Sequence, residues 1–228
     1  MEREELCEPF LPEIRNQSGN EQSTSKYTLN RSKSITSIAI FAAITIVLHI
    51  SPLKMPAPYA PFLIYEFWEI PIIAAFYLYG SNISLAVAII NFLSLLVIFP
   101  GTLQAGPIYN LLAIIAMIMG LLIVYRITEK SSRFQSSARL FWLTIIIGPS
   151  VRVLVMTGVN ALLLPMPPPL GFNAPIGDLE QILGLPPGTM LLFIAFFNFS
   201  VALYSILIAR MVIRAVSNAI RIPVKYGV

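Results

Sequence analysis

The stretch LFWLTIIIGPSVRVLVMTGVNALLL, Leu140–Leu164, decides the fold. About 20 mostly apolar residues carry a helix across the hydrocarbon of a bilayer, and this run has that length with a single charge inside it. The charge is Arg152, twelve residues from either end and therefore near mid-membrane. An arginine at that depth costs roughly 2.5 to 3.5 kcal/mol on insertion scales. Either it pairs or snorkels for structural reasons, or it lines a polar cavity or meets a partner subunit.

Five more apolar segments flank this one. The first spans Ser34 to Ile50, the second Phe67 to Tyr79, the third Ile83 to Phe99, the fourth Gly106 to Tyr125 and the sixth Thr189 to Ala209. Gly80-Ser81-Asn82 separates the second from the third, and Pro100-Gly101 ends the third. Ser51 to Pro61 holds four prolines and reads as a loop, and the proline-rich segment from Pro165 to Gly188 reads as non-helical backbone at the membrane surface. Composition agrees: 57% of the 228 residues are hydrophobic, 11% are charged, and the mean hydropathy is +0.79. The expected fold class is an all-α integral membrane protein of six transmembrane helices. A six-helix membrane domain occupies 34–212, between a disordered cytoplasmic tail at 1–33 and a basic cytoplasmic tail at 213–228.

Charge placement orients the bundle. Of the 15 Lys and Arg residues, 13 fall in the N-terminal tail, between Arg126 and Arg139, or from Arg210 onward, which puts those three regions on one side. Short basic loops stay cytoplasmic, so both termini are expected in the cytoplasm of a multi-pass cell-membrane protein. The tail opens with Glu2, Glu4 and Glu5 and carries no short apolar core, unlike a secretory signal peptide. The net charge of +4 suggests no nucleic-acid partner, because the basic residues flank apolar segments without interleaved aromatics.

Enzyme chemistry finds little purchase. One cysteine, Cys7, and one histidine, His49, form neither a metal cluster nor a nucleophile-base pair, so no catalytic residue, metal site or cofactor is assigned. Neither a phosphate-binding Gly-x-x-x-x-Gly-Lys loop nor a Gly-x-Ser-x-Gly elbow occurs, so the chain is not expected to hydrolyse ATP itself. The candidate binding groups lie in and beside the spans. Asn91, Asn110, Asn160 and Asn198 both donate and accept hydrogen bonds and suit a polar heterocycle, or else serve as interhelical glue. Tyr59, Phe62, Tyr109, Met156 and Met166 could wall a flat ligand, or belong to interface belts and core packing. Glu66 and Glu69, three apart, read as capping carboxylates on one face at the start of the second helix. Ala39 and Ala43 form a small-x-x-x-small pair that admits a close partner helix.

These residues carry a resemblance. Tyr65-Glu66-Phe67-Trp68-Glu69-Ile70-Pro71 followed by Gly80, Gly106-Pro107-Ile108-Tyr109-Asn110, Arg152 through Met156-Thr157 to Asn160 and Pro165, and Phe197-Asn198 together resemble the substrate-binding S components of energy-coupling factor (ECF) vitamin transporters, closest to the riboflavin S components. The likeness covers Ile35 to Val212. One position departs: a lysine frequent three residues after the helix-six asparagine is Val201 here. The resemblance implies a non-enzymatic subunit that binds riboflavin or another micronutrient under its first loop. Tyr59, Phe62, Glu66, Asn91, Tyr109, Asn110, Arg152, Met156, Asn160 and Asn198 are the candidate contacts. It further implies that Ala39 and Ala43 dock on a transmembrane coupling subunit, and that two partner ATPase subunits drive uptake. A self-contained secondary carrier is the rival, and would need coupling-ion carboxylates or inverted repeats of broken helices.

Overall fold

The computed structural model describes residues 31–98, 105–130 and 137–220. Most of the expected N-terminal tail, the Pro100-Gly101 break, residues 131–136 of the polar stretch before the fifth span and the last eight residues lie outside them. The elements in chain order are α1 (Arg31–Ile50), β1 (Met55–Ala57), β2 (Ala60–Tyr65), α2 (Glu69–Tyr79), α3 (Ser81–Ile98), α4 (Ala105–Lys130), α5 (Ser137–Leu163), α6 (Ile176–Ile182) and α7 (Met190–Ile220).

Five helices, α1, α3, α4, α5 and α7, are long and apolar enough to cross a membrane. Their outward faces carry large apolar side chains, among them Val97, Leu154, Leu162 and Met211, as suits a lipid solvent. The sixth helix differs. At 11 residues α2 is about 16 Å long, half the hydrocarbon thickness. It is buried nearly all round, from Pro71 to Leu78. A helix apolar on every side belongs inside a bundle. The long helices neighbour one another in the order α1, α3, α4, α5, α7, and α2 packs against α1, α3, α4 and α7. Ile72, Ile73, Phe76 and Tyr77 of α2 are fully enclosed with Ile114, Met117 and Leu121 of α4 and Ile206 of α7.

Local chemistry explains the joints. Gly80 takes φ 95°, open to glycine, and its N–H caps Phe76 O, so α3 begins one residue after α2 ends. Ser84 of α3 then donates to Ile72 O, at 2.9 Å. Helices α4 and α5 cross where a Cβ on Gly120 would sit 3.0 Å from Gly148 Cα, a separation that only glycine permits.

Three differences from the sequence expectation stand out, the smallest being that the segment from Pro165 to Gly188, expected to be non-helical, holds the short helix α6 where its prolines give way to Ile176–Ile182. The fold is not all helix: the proline-rich segment after α1 runs into an antiparallel hairpin, with Met55 opposite Tyr65 and Pro56 opposite Ile64. The run Ala60–Tyr65 alternates like a strand, and a two-stranded ribbon leaves outer edges where proline's missing N–H does no harm. In addition, α7 continues to Ile220, into the segment from 213 that was expected to be the basic tail, and Arg210, counted with the basic residues beyond the sixth span, is buried inside the bundle. Its guanidinium lies 5.0 Å from the Phe141 ring centroid and 5.9 Å from that of Tyr77. Aromatic faces and Thr144 Oγ1, at 3.3 Å, compensate the charge, so the positive residue does not mark the end of the helix.

Candidate functional site

Helices α5 and α7 face each other along buried i, i+4 ridges. On α5 the ridge is Thr144, Gly148, Arg152, Met156 and Asn160; on α7 it is Ile194, Asn198, Ala202, Ile206 and Arg210. The antiparallel register follows from two contacts. Arg210 reaches Thr144, and a Cβ on Gly148 would meet Ile206 Cδ1 at 3.2 Å. Continued toward the other end, that register sets Met156 level with Asn198 and Asn160 level with Ile194. The two amides therefore lie on facing ridges toward the same end of the α5–α7 pair.

At the centre of this face Arg152 is 3% exposed, and its whole guanidinium is engaged. Nη2 donates to Glu69 Oε1 at 2.8 Å, Nη1 to Glu69 Oε2, and Nε to Asn198 Oδ1 at 3.1 Å. Nη1 also lies 3.9 Å from Met117 Sδ. The fork-on-fork pair with Glu69 is the strongest geometry available to an arginine and a carboxylate, and it neutralises a charge that lipid would otherwise penalise. Asn198 Nδ2 donates to Ile194 O at 2.9 Å, and Asn160 Nδ2 to Met156 O at 2.7 Å.

The hairpin lies against the aromatic side of α7. Tyr59, between the strands, packs on Phe193 and Phe196, and Tyr65 packs on Phe197 and Tyr204. A chain of hydroxyls stitches the two together, Tyr59 to Tyr65 at 2.8 Å and Tyr65 to Ser200 at 2.7 Å. Burial pushes the Tyr59 phenol up to about 12, helped by its bond to Tyr65. Tyr204 donates to Glu66 O at the base of the hairpin.

Glu66 and Glu69 do not act as a capping pair on one helical face. Glu66 precedes α2; its Oε1 lies 2.6 Å from Lys54 Nζ and its Oε2 3.4 Å from His49 Nε2. His49 stacks on Trp68. Glu69, in the first turn of α2, turns inward to Arg152. The first turn of α2 is thereby tied to the middle of α5, inside the bundle.

The other candidates are dispersed. Met156 is buried on the α5 ridge and Asn110 is half-buried in the first turns of α4. Tyr109 donates to Leu170 O at 3.0 Å, tying α4 to the loop after α5. Phe62 and Met166 are exposed. Asn91 is buried on α3, which packs on α1, α2 and α4, and its Oδ1 has no partner among the described residues. Ala39 and Ala43 lie on the exposed face of α1 while neighbouring Ala42 turns inward, so the small pair is open to a partner helix. Glu69, Tyr65 and Ser200 were missed by sequence reasoning. For Glu69 the available signal was charge complementarity, a lone carboxylate and a lone guanidinium both inside apolar segments.

No protein-family model matches the sequence, and no curated protein matches it. Among solved structures, the chain is similar to one described as the S component of a bacterial ECF transporter, at 21% identity and a TM-score of 0.62. The alignment covers 84% of this chain and 99% of that one. The likeness establishes the fold, that of a multi-pass, mostly helical membrane protein.

Proposed function

We propose that this chain is the substrate-binding S component of an ECF-type importer, and that its ligand is riboflavin. The observation that carries the reading is the shared fold over nearly the whole of a solved S component. Within that fold, buried amides on α5 and α7 lie on facing ridges, and an aromatic hairpin packs on α7. In this reading α2 counts as the sixth membrane helix, both termini are cytoplasmic, and the hairpin and proline-rich loops face outward. Asn160, Asn198 and Asn110 satisfy the polar edge of the ligand, while Tyr59, Tyr109 and Met156 wall its flat faces. The hairpin acts as the lid.

Transport on this scheme needs partners. Ala39 and Ala43 on the open face of α1 meet a transmembrane coupling subunit, and two ATPase subunits supply the energy; the chain itself contributes affinity and selectivity and performs no catalysis. The test is direct. Protein purified from cells grown with riboflavin should carry a flavin absorbance spectrum and show saturable quenching on titration. Protein that arrives colourless and does not quench added riboflavin removes that ligand. Uptake in vesicles lacking any ATPase partner would favour a secondary carrier instead.

A further inference from the structure

Two arginines are buried in this bundle, and only one of them meets a carboxylate. Arg152 closes on Glu69. Arg210 of α7, 3% exposed, has no carboxylate within ion-pair distance among the described residues. The described acidic groups are engaged elsewhere or face outward. Glu66 pairs with Lys54, Glu180 accepts from the Gly188 and Met190 amides, and Glu129 and Asp178 are exposed.

The groups around Arg210 soften its charge without supplying a counter-ion. Its guanidinium lies against the Phe141 and Tyr77 rings, and Nη1 donates to Thr144 Oγ1. The Thr144 proton is already given to Phe141 O at 2.7 Å. Nη2 is buried and has no hydrogen-bond partner among the described residues. The same holds for the hydroxyl of Tyr77, a residue fully enclosed in the last turn of α2. That hydroxyl lies within electrostatic reach of Arg210 and beside Thr144 and Tyr125, so the two open groups share one site.

We propose that Arg210 and Tyr77 hold a small inorganic monoanion of the chloride class, at the end of the bundle away from the hairpin. Both open groups can donate: a guanidinium N–H does nothing else, and a phenol hydroxyl turns its proton to whatever accepts. A negatively charged acceptor satisfies both and neutralises the guanidinium. A water molecule would satisfy both and leave the charge unmatched in a low-dielectric interior. Burial sets the size of the ion. Arg210, Thr144 and Tyr77 are each 3% exposed or less, so a headgroup tethered to a lipid, or a carboxylate tethered to a partner protein, has no surface from which to reach Nη2. The bound ion would join the last turn of α2 to the early part of α5 and to α7, the same three helices that Glu69, Arg152 and Asn198 join nearer the hairpin. This inference is independent of which solute the chain carries.

The test uses the full chain in phosphatidylcholine nanodiscs at constant ionic strength, with gluconate, an anion too large for an enclosed site, replaced stepwise by chloride. Tm should rise saturably with chloride, as expected of an ion that binds the folded state alone. The 35Cl NMR line should broaden beyond that of nanodiscs without protein. Arg210→Met should abolish both responses. Tyr77→Phe keeps the ring and should raise the chloride midpoint about fivefold, the change expected for one lost hydrogen bond. A Tm indifferent to chloride, or a response that survives in Arg210→Met, overturns the site. If Arg210→Met does not fold, Tyr77→Phe decides alone, and an unchanged midpoint overturns the assignment. A Tm that rises with added phosphatidylglycerol and not with chloride makes the anion a lipid phosphate and overturns the free-ion site.

Discussion

Arg152 on α5 donates from Nε to Asn198 on α7 across 3.1 Å, and the rest of its guanidinium closes on Glu69 at the head of α2. Three helices distant in sequence therefore meet through one buried side chain. Breaking a buried ion pair by removing one partner typically costs about 3 to 5 kcal/mol, while replacing both by apolar groups is often neutral. Arg152→Met alone and Glu69→Met alone should each lower thermal stability in detergent sharply. The Arg152→Met/Glu69→Met double variant should recover most of the loss. A double variant as unstable as the sum of the singles would contradict the pairing.

The hairpin is held by the Tyr59–Tyr65–Ser200 hydroxyl chain. Tyr65→Phe keeps the ring packing on Phe197 and removes two hydrogen bonds, worth about 1 kcal/mol each. Ligand dissociation should quicken by roughly five- to thirtyfold while association changes little, as read by stopped-flow quenching. An unchanged dissociation rate would mean that the hairpin is not the lid.

The open face of α1 separates binding from transport. Ala39→Leu and Ala43→Leu add bulk where the helix surface is free in this chain, so ligand affinity should be unaltered. Uptake in cells should fall to background, because a close helix–helix contact cannot absorb the added volume. Full uptake by both variants would place the partner elsewhere.

The N-terminal end of α7 is capped from a distance. Glu180 of α6 accepts from the backbone N–H of Gly188 at 2.7 Å and of Met190 at 2.9 Å, and these bonds, Met190's foremost, hold its carboxyl below the usual value of 4.5. A lowered folded pKa stabilises in full above the unfolded value and is lost as pH falls through the folded one. The protection of the Gly188 and Met190 amides, measured against their intrinsic exchange rates, should therefore be full at neutral pH and be lost as pH falls through the lowered carboxyl value. Glu180→Gln should flatten that acid-side change.

The α4–α5 crossing depends on glycine. A Cβ at Gly120 would meet the Gly148 backbone, Cα at 3.0 Å and O at 3.1 Å, and Val151 Cβ at 3.1 Å, none of them the far end of a flexible side chain. Gly120→Ala should destabilise by roughly 1 to 3 kcal/mol through overpacking, measured as a drop in Tm. Gly106→Ala, with nothing within 4 Å, is the control.

Much of the site was legible as inventory and little of it as geometry. Arg152, Asn160 and Asn198 stood out because a charge or amide in an apolar segment is anomalous by itself. Their partners did not. Glu69 lies at the start of a helix, where carboxylates commonly serve the helix terminus, and Arg210 lies beside other basic residues, where a tail is the ordinary reading. Nothing within a few residues of either distinguishes an inward side chain from an outward one. The hairpin was hidden by its prolines, which argue against helix without arguing for strand.

The sequence alone determined the solvent. Runs of apolar residues long enough to span hydrocarbon, broken by proline, glycine and basic stretches, specify membrane helices because hydropathy and length are local properties of the chain. Tertiary structure decided the rest: that α2 is buried among the long helices, that Glu69 and Arg152, 83 residues apart, neutralise each other, and that the Asn198 amide can face only one way. Those outcomes depend on which ridges interlock and in what register, and that is set by packing among all the helices together.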